Sequence, residues 1–578
     1  MIRAGEREGG DVNENDHGQR HSSVWSGISA IAGDGRLERD TTSDVCIVGA
    51  GVAGILIAER LSSMGLSVVV LEAGEICSGE TGRTTAHVSN ALDDRYYRLA
   101  KLHGARGAAL CAASHTAAID RIEALATSLG LVDECRWRRL DGYLMVNDKR
   151  RGQAQDLIQQ EFHAAREAGV EVEAVSSMPA PWPSDRGPML RFKDQGQFHP
   201  LRFLGGVVRH LREGKNVKFH THTRAVKMTG GSNASVETEA GPVVKCSHLV
   251  VATNTPVNDW VTMHTKQMGF QTYVMAFRVQ GRIPPLLFWD GLWEDDVSYR
   301  YVRLYEGGAS DGSDLLIVGG EDHKTGQGPE GLMGEEPFRC LEEWTRTMFP
   351  FVGGAGSVER RWSGEVMEPA DGVAFIGRNP MDKDNVYIVT GDSGNGITHG
   401  AIASILIPDL IEGKDNPWAT LYDPRRKSGL HAPGEYLRDN LNTLAQYGDW
   451  LRGGDVKDES EIAPGEGAIL RRGLKHLAVY KDDAGNCTRL SATCPHLGGI
   501  VRWNAQEKTW DCPCHSSRFD RHGHIMHGPA NSDLKPADGG GGGDGGGERI
   551  PGREGEARAG AGDPARAPGT LPRHESPR

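Results

Sequence analysis

Residues 45–72, VCIVGAGVAGILIAERLSSMGLSVVVLE, constrain the fold more than any other part of this chain. The apolar run 45–48 reads as a buried parallel strand. Gly49, Gly51 and Gly54 follow in G-x-G-x-x-G spacing, residues 55–64 carry helical apolar spacing, and 68–71 read as a second strand ending at Glu72. Strand, glycines, helix, strand and acid in this order form a βαβ unit suited to a dinucleotide. Gly49 permits the tight turn, Gly51 lets the backbone approach a pyrophosphate, and Gly54 lets helix and strand pack closely. The helix N-terminus then faces the phosphate charge. Glu72 lies 21 residues after Gly51, about where a carboxylate meets a ribose hydroxyl. By itself the unit leaves NAD and FAD both open.

The chain has 578 residues, enough for three or four domains. The hydrophobic content of 38% is low and 77 glycines are many, but much of that deviation comes from the two ends. Residues 1–40 are polar and glycine-rich and are expected to be largely disordered, as is the tail 538–578. A net charge of −13 without a long basic run argues against nucleic-acid binding. No stretch approaches the length of a transmembrane helix, so no transmembrane segment is expected. The N-terminus lacks the apolar core of a secretory signal, which points to the cytoplasm. Seven of the ten cysteines are scattered, as suits reduced thiols.

Beyond Glu72, the loop GETGRTTAH (79–87) places Arg83 and Thr84 where donors can meet a second phosphate or a flavin; a plain loop is the alternative. Residues 97–130, 153–168 and 201–211 read as helical, and 192–200 (FKDQGQFHP) as a loop. Residues 216–256 alternate apolar and polar side chains around turns, which predicts short antiparallel strands. Within them, 247–253 reads as a buried strand returning to the sheet. Strand-like runs over 268–321 predict a second, antiparallel sheet that covers the cofactor and shapes a substrate cavity. Residues 385–411 repeat the strand–glycine–helix logic, with Gly391 and Asp392 at a sheet end and a helix starting near Gly396. A helical linker (426–452) leads to a compact segment of short strands, 453–537.

In that segment Cys494 and His496 form C-x-H. After 15 intervening residues Cys512 and His515 form C-x-x-H. Each loop supplies one thiolate and one imidazole, the split that a Rieske [2Fe–2S] centre needs. A zinc site is the alternative, but zinc fingers usually pair Cys with Cys and His with His.

Over residues 455–537 the segment resembles Rieske proteins. In the high-potential members a further cysteine in the first loop forms a disulfide with the middle cysteine of C-P-C-H. Here Gly499 stands at that position, so the resemblance leaves Cys514 without such a partner. Ser517 matches a serine that hydrogen-bonds the cluster, while Phe519 replaces a tyrosine. The loss of one hydrogen bond to sulfur implies a moderate reduction potential.

Residues 41–425 resemble the D-amino-acid-oxidase-type, glycine-oxidase-like FAD-dependent oxidoreductases. The resemblance rests on the βαβ unit, GETGRTTAH, WSGEVMEPADGVAFIGRNP (362–380) and NVYIVTGDSGNGITHG (385–400). It implies that Gly391, Asp392 and the amides of Gly394, Asn395, Gly396 and Ile397 lie near the ribityl chain and pyrimidine edge of FAD, and that Val226 lies beside the adenine. The domain order is similar to bacterial fusion oxidoreductases of the YhfW type, and the two spans cover roughly 80% of the chain. No second G-x-G-x-x-G and no C-x₄-C is present, so FAD is expected rather than NAD.

The expected fold class is therefore an α/β FAD-binding Rossmann-type domain (41–425) with an antiparallel-sheet substrate domain, plus a small all-β Rieske domain. The expected function is oxidation of an amine or amino-acid-like substrate, with electrons passed singly to the cluster and on to an acceptor protein or quinone. Flow in the reverse direction from a donor protein, and a redox sensor without a substrate, stay open as alternatives. No catalytic residue is assigned. Arg303 as a carboxylate clamp and His323 or Lys324 near the flavin are possibilities, with surface salt-bridging as their plainer role. His87 as a covalent flavin attachment is a remote one.

Overall fold

The computed structural model describes residues 22–27, 29–146, 152–183, 187–258, 262–291, 299–328 and 334–537. The tail 538–578 and the first 21 residues, both expected to be disordered, lie outside them. Residues 22–27 and 29–40 are a built part of the fold. Trp25 is fully buried, its indole N–H donates to the Thr84 carbonyl at 2.6 Å, and its ring packs edge-on against Tyr305.

The first sheet runs in the order Phe375–Arg378, Val386–Thr390, Val243–Val251, Thr41–Val48, Val68–Leu71, Val217–His220. The last five strands are parallel neighbours. They are apolar because helices cover them. Residues 217–220 are thus the outer parallel strand, where short antiparallel strands were expected. A parallel neighbour needs a crossover, and the helix Pro200–Gly214 supplies it. The antiparallel expectation for this region holds for Ala225–Thr229 with Ser235–Thr238, a hairpin that pairs with Val243–Val251. The helices Val52–Ser63 and Gly396–Glu412 pack on each other over the sheet. Their approach is close: a Cβ on Gly400 would stand 3.2 Å from the Ala53 backbone nitrogen.

The second sheet runs in the order Val358–Pro369, Gln267–Arg278, Leu315–Lys324, Arg300–Tyr305, Leu287–Asp290, Arg138–Met145, Met189–Gln197, His87–Val88. It is antiparallel except where Leu287–Asp290 meets Arg138–Met145. The expected loop at 192–200 is mostly strand, Met189–Gln197. Its polar residues are not solvated. Gln195 is fully buried and bonded to Ser89 at 2.7 Å and Asn90 at 2.8 Å, so the ladder forms despite a composition that reads as a loop.

The helix Pro433–Gln446 and a short turn, Tyr447–Leu451, lead into two small sheets. One holds Glu466–Arg472, Lys475–Lys481 and Cys487–Ser491; the other holds Arg502–Asn504, Thr509–Asp511, Arg518–Asp520 and Ile525–His527. Trp510 and Phe519 are fully buried at their centre. This all-β part is seated on the first through polar contacts: Arg502 donates to the Gly326 carbonyl at 2.8 Å and Gln327 to the Pro513 carbonyl at 2.7 Å. Among the described residues no helix is long and apolar enough to cross a membrane.

Candidate active site and cluster loops

A cavity of about 1350 Å³ opens beyond the C-terminal ends of the parallel strands, where such sheets place their ligands. Gly49, Gly51, Glu72, Arg83, Thr84, Asp392, Gly394, Asn395, Gly396 and Ile397 all line it. Gly49 turns with φ at 105°, and a Cβ there would sit 2.4 Å from the Ala252 carbonyl oxygen. Gly54 lies behind the wall, where a Cβ would be 2.0 Å from the Gly49 carbonyl oxygen. Gly391 also stands behind the lining, with φ at 69°. The Glu72 carboxylate accepts from the amides of Ala50 at 2.8 Å and Gly74 at 2.9 Å, so it braces the glycine turn as well as facing the cavity. Val226 is 38% exposed and not among the lining residues, though its neighbour Ala225 is. The Val226 carbonyl accepts from Asn531 at 3.2 Å.

The two helix N-termini at this cavity carry no side-chain cap. Of the first amides of Val52–Ser63, that of Val52 donates to the Thr81 hydroxyl at 3.0 Å. Uncapped N–H groups at the mouth of an elongated cavity suit the pyrophosphate and the electron-rich pyrimidine edge of FAD.

The other half of the cavity is acidic and aromatic. Asp93, Asp94, Asp322, Glu368 and Asp392 line it together with Trp289, Tyr299 and Tyr301. The Ser393 hydroxyl lies within hydrogen-bond distance of both Asp94 and Glu368. One hydroxyl donates one proton, so the second contact needs a proton on a carboxyl. Burial and the facing Asp94 push Glu368 above the usual carboxylate range, while Asp94, also raised by burial, keeps Arg98 as its ion-pair partner. Burial also raises Asp93 to about 6 and Asp322 and Asp392 to about 7.

Arg303 is not available to clamp a carboxylate. It is buried and donates to the carbonyls of Thr85, Ala86 and Phe198 at 3.0, 2.9 and 3.2 Å. His87 lines the cavity, but both ring nitrogens are engaged, with the Thr85 hydroxyl at 3.0 Å and the Val302 carbonyl at 3.2 Å. Burial holds it neutral, its pKa lowered to about 3. His323 and Lys324 reach the cavity; the first stacks on Tyr273 and the second pairs with Asp439 at 2.7 Å.

The two cluster loops close on each other. The Cys494 and Cys512 side chains are hydrogen-bonded neighbours and both are 2% exposed, while the His496 and His515 rings stand 5.0 Å apart. Among the described residues no three or more His, Cys, Asp or Glu side chains gather as one metal ion would require. A pairing of thiol with thiol and imidazole with imidazole fits the two-thiolate, two-imidazole split of a Rieske cluster. Ser517 bonds to Cys494 and accepts from the Ala530 amide at 3.0 Å. Phe519 offers no hydroxyl. None of the ten cysteines is in a disulfide, Cys514 among them.

Three features carry no local sequence signal. His264, from the segment before Gln267–Arg278, packs on the histidines of the two loops with ring centroids 4.8 Å from His496 and 5.8 Å from His515. Arg518, His527 and Asn531 of the all-β part line the cavity of the α/β part. His527 pairs with Glu80 at 2.9 Å; burial raises and this partner's pull lowers the Glu80 carboxyl, to a net value of about 2.

Comparison with known proteins agrees with this geometry. Residues 44–410 match the FAD dependent oxidoreductase family (DAO) and residues 454–537 match the Rieske [2Fe-2S] domain. The putative Rieske 2Fe-2S iron-sulfur protein YhfW of Bacillus subtilis (strain 168) is 30% identical over 526 residues, covering 89% of this chain and 97% of its own. Among solved structures, glycine oxidase from Geobacillus kaustophilus aligns with a TM-score of 0.51 at 15% identity, over 67% of this chain and 99% of its own. L-amino acid deaminase from Proteus vulgaris aligns at 0.52 and 16% identity, over 69% of this chain and all of its own. At such identities the last two show the fold. The chain belongs to the FAD-dependent oxidoreductases of the DAO family, fused to a Rieske domain, and binds FAD in the first part and a [2Fe–2S] cluster in the second.

Proposed function

We propose that the protein oxidises the C–N bond of an amine or amino-acid-like substrate and hands the electrons one at a time to its Rieske cluster, for delivery to an external acceptor protein or quinone. FAD takes two electrons from a substrate, and the cluster carries one at a time. The observation that carries the reading is the seat of His264 of the α/β part against both cluster histidines. With His496 and His515 as ligands, the imidazole edge of the cluster would face the flavin-binding part of the same chain, which supports transfer between the two. The resemblance in fold to glycine oxidase and L-amino acid deaminase supports the C–N bond as the target.

The residues divide the work. The uncapped amides at Gly396 and Ile397 favour negative charge at the flavin edge. Asp93 and Asp322, both raised toward neutrality, can accept a proton from an incoming amine, which leaves its nitrogen lone pair free. Trp289 and Tyr301 wall the space. The eight cysteines outside the cluster pair, none of them in a disulfide, support a reducing, cytoplasmic setting.

Anaerobic mixing of the loaded protein with a panel of amines and amino acids tests this. The expected result is loss of flavin absorbance followed by the electron paramagnetic resonance signal of a reduced Rieske centre. No bleaching by any of them, together with fast reduction by a ferredoxin, would reverse the direction of flow and overturn the proposal.

A further inference from the structure

Resting on the reading of this cavity as a site of C–N oxidation, we propose that it takes an organic ammonium without a carboxylate beside the reacting carbon. Asp93 and Asp322 hold the cation, between the rings of Trp289, Tyr299 and Tyr301.

The first argument is the state of the cations. A site for an amino acid needs an arginine or lysine free to meet the carboxylate. The cationic side chains that line this cavity are committed elsewhere. Arg83 pairs with Glu507 and donates to the Ser363 carbonyl at 2.8 Å. Arg224 donates to the Ile525 carbonyl at 3.1 Å, Lys324 is held by Asp439, and Arg518 is buried with Asp511 at 3.1 Å. Arg438 is half exposed, with Asp439 4.0 Å away. Outside the lining, Arg300 turns to Glu321, and Arg303 is spent on three carbonyls.

The second argument is the state of the anions. Among the described residues, Asp93 receives the Tyr299 hydroxyl and Asp322 the Thr272 hydroxyl, and neither is in an ion pair. The nearby Arg95 is directed at the carbonyls of Leu92 and Gly291. Asp322 therefore sits in a low-dielectric site without a counter-charge, Asp93 has only the charge of Arg95 nearby and no ion pair with it, and desolvation raises both. An ammonium supplies that charge and lowers the cost of ionising them. A carboxylate in the same place meets like charge.

The third argument is the wall. Arg95 already lies over the Tyr299 ring at 5.3 Å, and Tyr301 stands beside Tyr299 with ring centroids 5.9 Å apart. Electron-rich faces of this kind attract a desolvated cation. The alkyl part of an amine gains from the same surfaces.

The test uses the full chain loaded with FAD and cluster and reduced in advance with dithionite, so that binding is separated from turnover. Calorimetric titration compares 1,4-diaminobutane, 1-aminobutane, ornithine and 1,4-butanediol. The amines are expected to bind at least tenfold more tightly than ornithine or the diol. Asp322→Asn is expected to weaken amine binding at least tenfold with the flavin spectrum unchanged, and Asp93→Asn serves if the first variant does not fold. Ornithine binding as tightly as the amines, or amine binding untouched by both variants, would overturn the proposal. The oxidised protein separates the two readings. Bleaching by amino acids but not by amines sinks the ammonium site and leaves C–N oxidation standing. Asp322-dependent amine binding without bleaching by any amine sinks C–N oxidation and leaves the ammonium site.

Discussion

The His264 ring stands edge-to-face on His496, 4.8 Å from centroid to centroid, and 5.8 Å from His515. His264 is 4% exposed and His496 7%, so a residue of the flavin-binding part shields the imidazole edge of the cluster. Reduction adds negative charge to the cluster, and water stabilises the more charged state. His264→Ala admits water, so it is expected to raise the cluster's reduction potential. It also removes the packing that holds His496 toward the flavin part. Slower flavin-to-cluster transfer follows, by roughly 10- to 100-fold as for other residues that support a metal ligand. Redox titration followed by electron paramagnetic resonance reads the first effect, and anaerobic stopped-flow absorbance the second.

His527 and Glu80 form a buried ion pair across the two parts. Removing one partner of such a pair costs about 3–5 kcal/mol, because the other charge is left buried. Arg83 also faces Glu80, so the lower end is expected for His527→Ala. The pH dependence has a definite sign. The folded pKa of His527 is raised, so its contribution is complete below its unfolded value and is lost as pH rises through the raised folded value. The Glu80 contribution, lowered to about 2, is present above the ordinary carboxylate value and lost as pH falls toward 2. The stability gap between wild type and His527→Ala is therefore widest from about pH 5 to 6 and narrows in alkali. Thermal unfolding across pH checks it.

Much of this architecture is legible locally. The glycine turn at Gly49, the second turn from Gly391 to Gly396 and each Cys–His pair proposed for the cluster (Cys494 with His496, Cys512 with His515) lie within a few residues, so local spacing carries their chemistry. The strand at 192–197 is hidden because Gln195 is a buried polar residue whose partners, Ser89 and Asn90, are distant in sequence. Trp25, His264 and His527 are hidden for the same reason: each acts through a tertiary contact with a segment far along the chain. The cations near the cavity misled in the opposite direction. Arg303 has the chemistry of a carboxylate clamp, and three backbone carbonyls have claimed it.

Glu365 lines the cavity where the two parts meet, and burial pushes its carboxyl up to about 8. A raised carboxylic acid binds a proton in the folded state that the unfolded chain releases between about pH 4.5 and 8, so stability falls as pH rises through that window. Glu365→Gln keeps the shape of the protonated acid and removes the titration. The variant is expected to match wild type near pH 5 and to exceed it above pH 8, by up to about 4 kcal/mol at about 1.4 kcal/mol per unit. Denaturant unfolding at the two pH values measures the crossover; a variant less stable than wild type at pH 8 would show that the ionised carboxylate is the stabilising form.

Gly499 and Cys514 offer a direct route to the missing cross-link of the cluster loops. A Cβ built on Gly499 would lie 2.6 Å from the Cys514 sulfur and 3.2 Å from the Cys512 sulfur. Gly499 is absent from the left-handed backbone region, so a side chain there brings no φ penalty. Small adjustments of the loop bring a sulfur at position 499 into bonding range of Cys514. Gly499→Cys is expected to form a disulfide with Cys514 under mild oxidation and to spare Cys512, the thiolate proposed to hold iron. The bond joins two loops that already meet, so it restricts mainly the unfolded chain, and a gain of about 2–3 kcal/mol is expected for a loop of this length. Thiol titration of the loaded protein should find one thiol more than wild type if the new cysteine stays free, and one fewer if the disulfide forms, since the bond consumes both the new cysteine and Cys514. Peptide mapping that joined position 499 to Cys512 would show the cluster loop to be open, with the ligand lost to the cross-link.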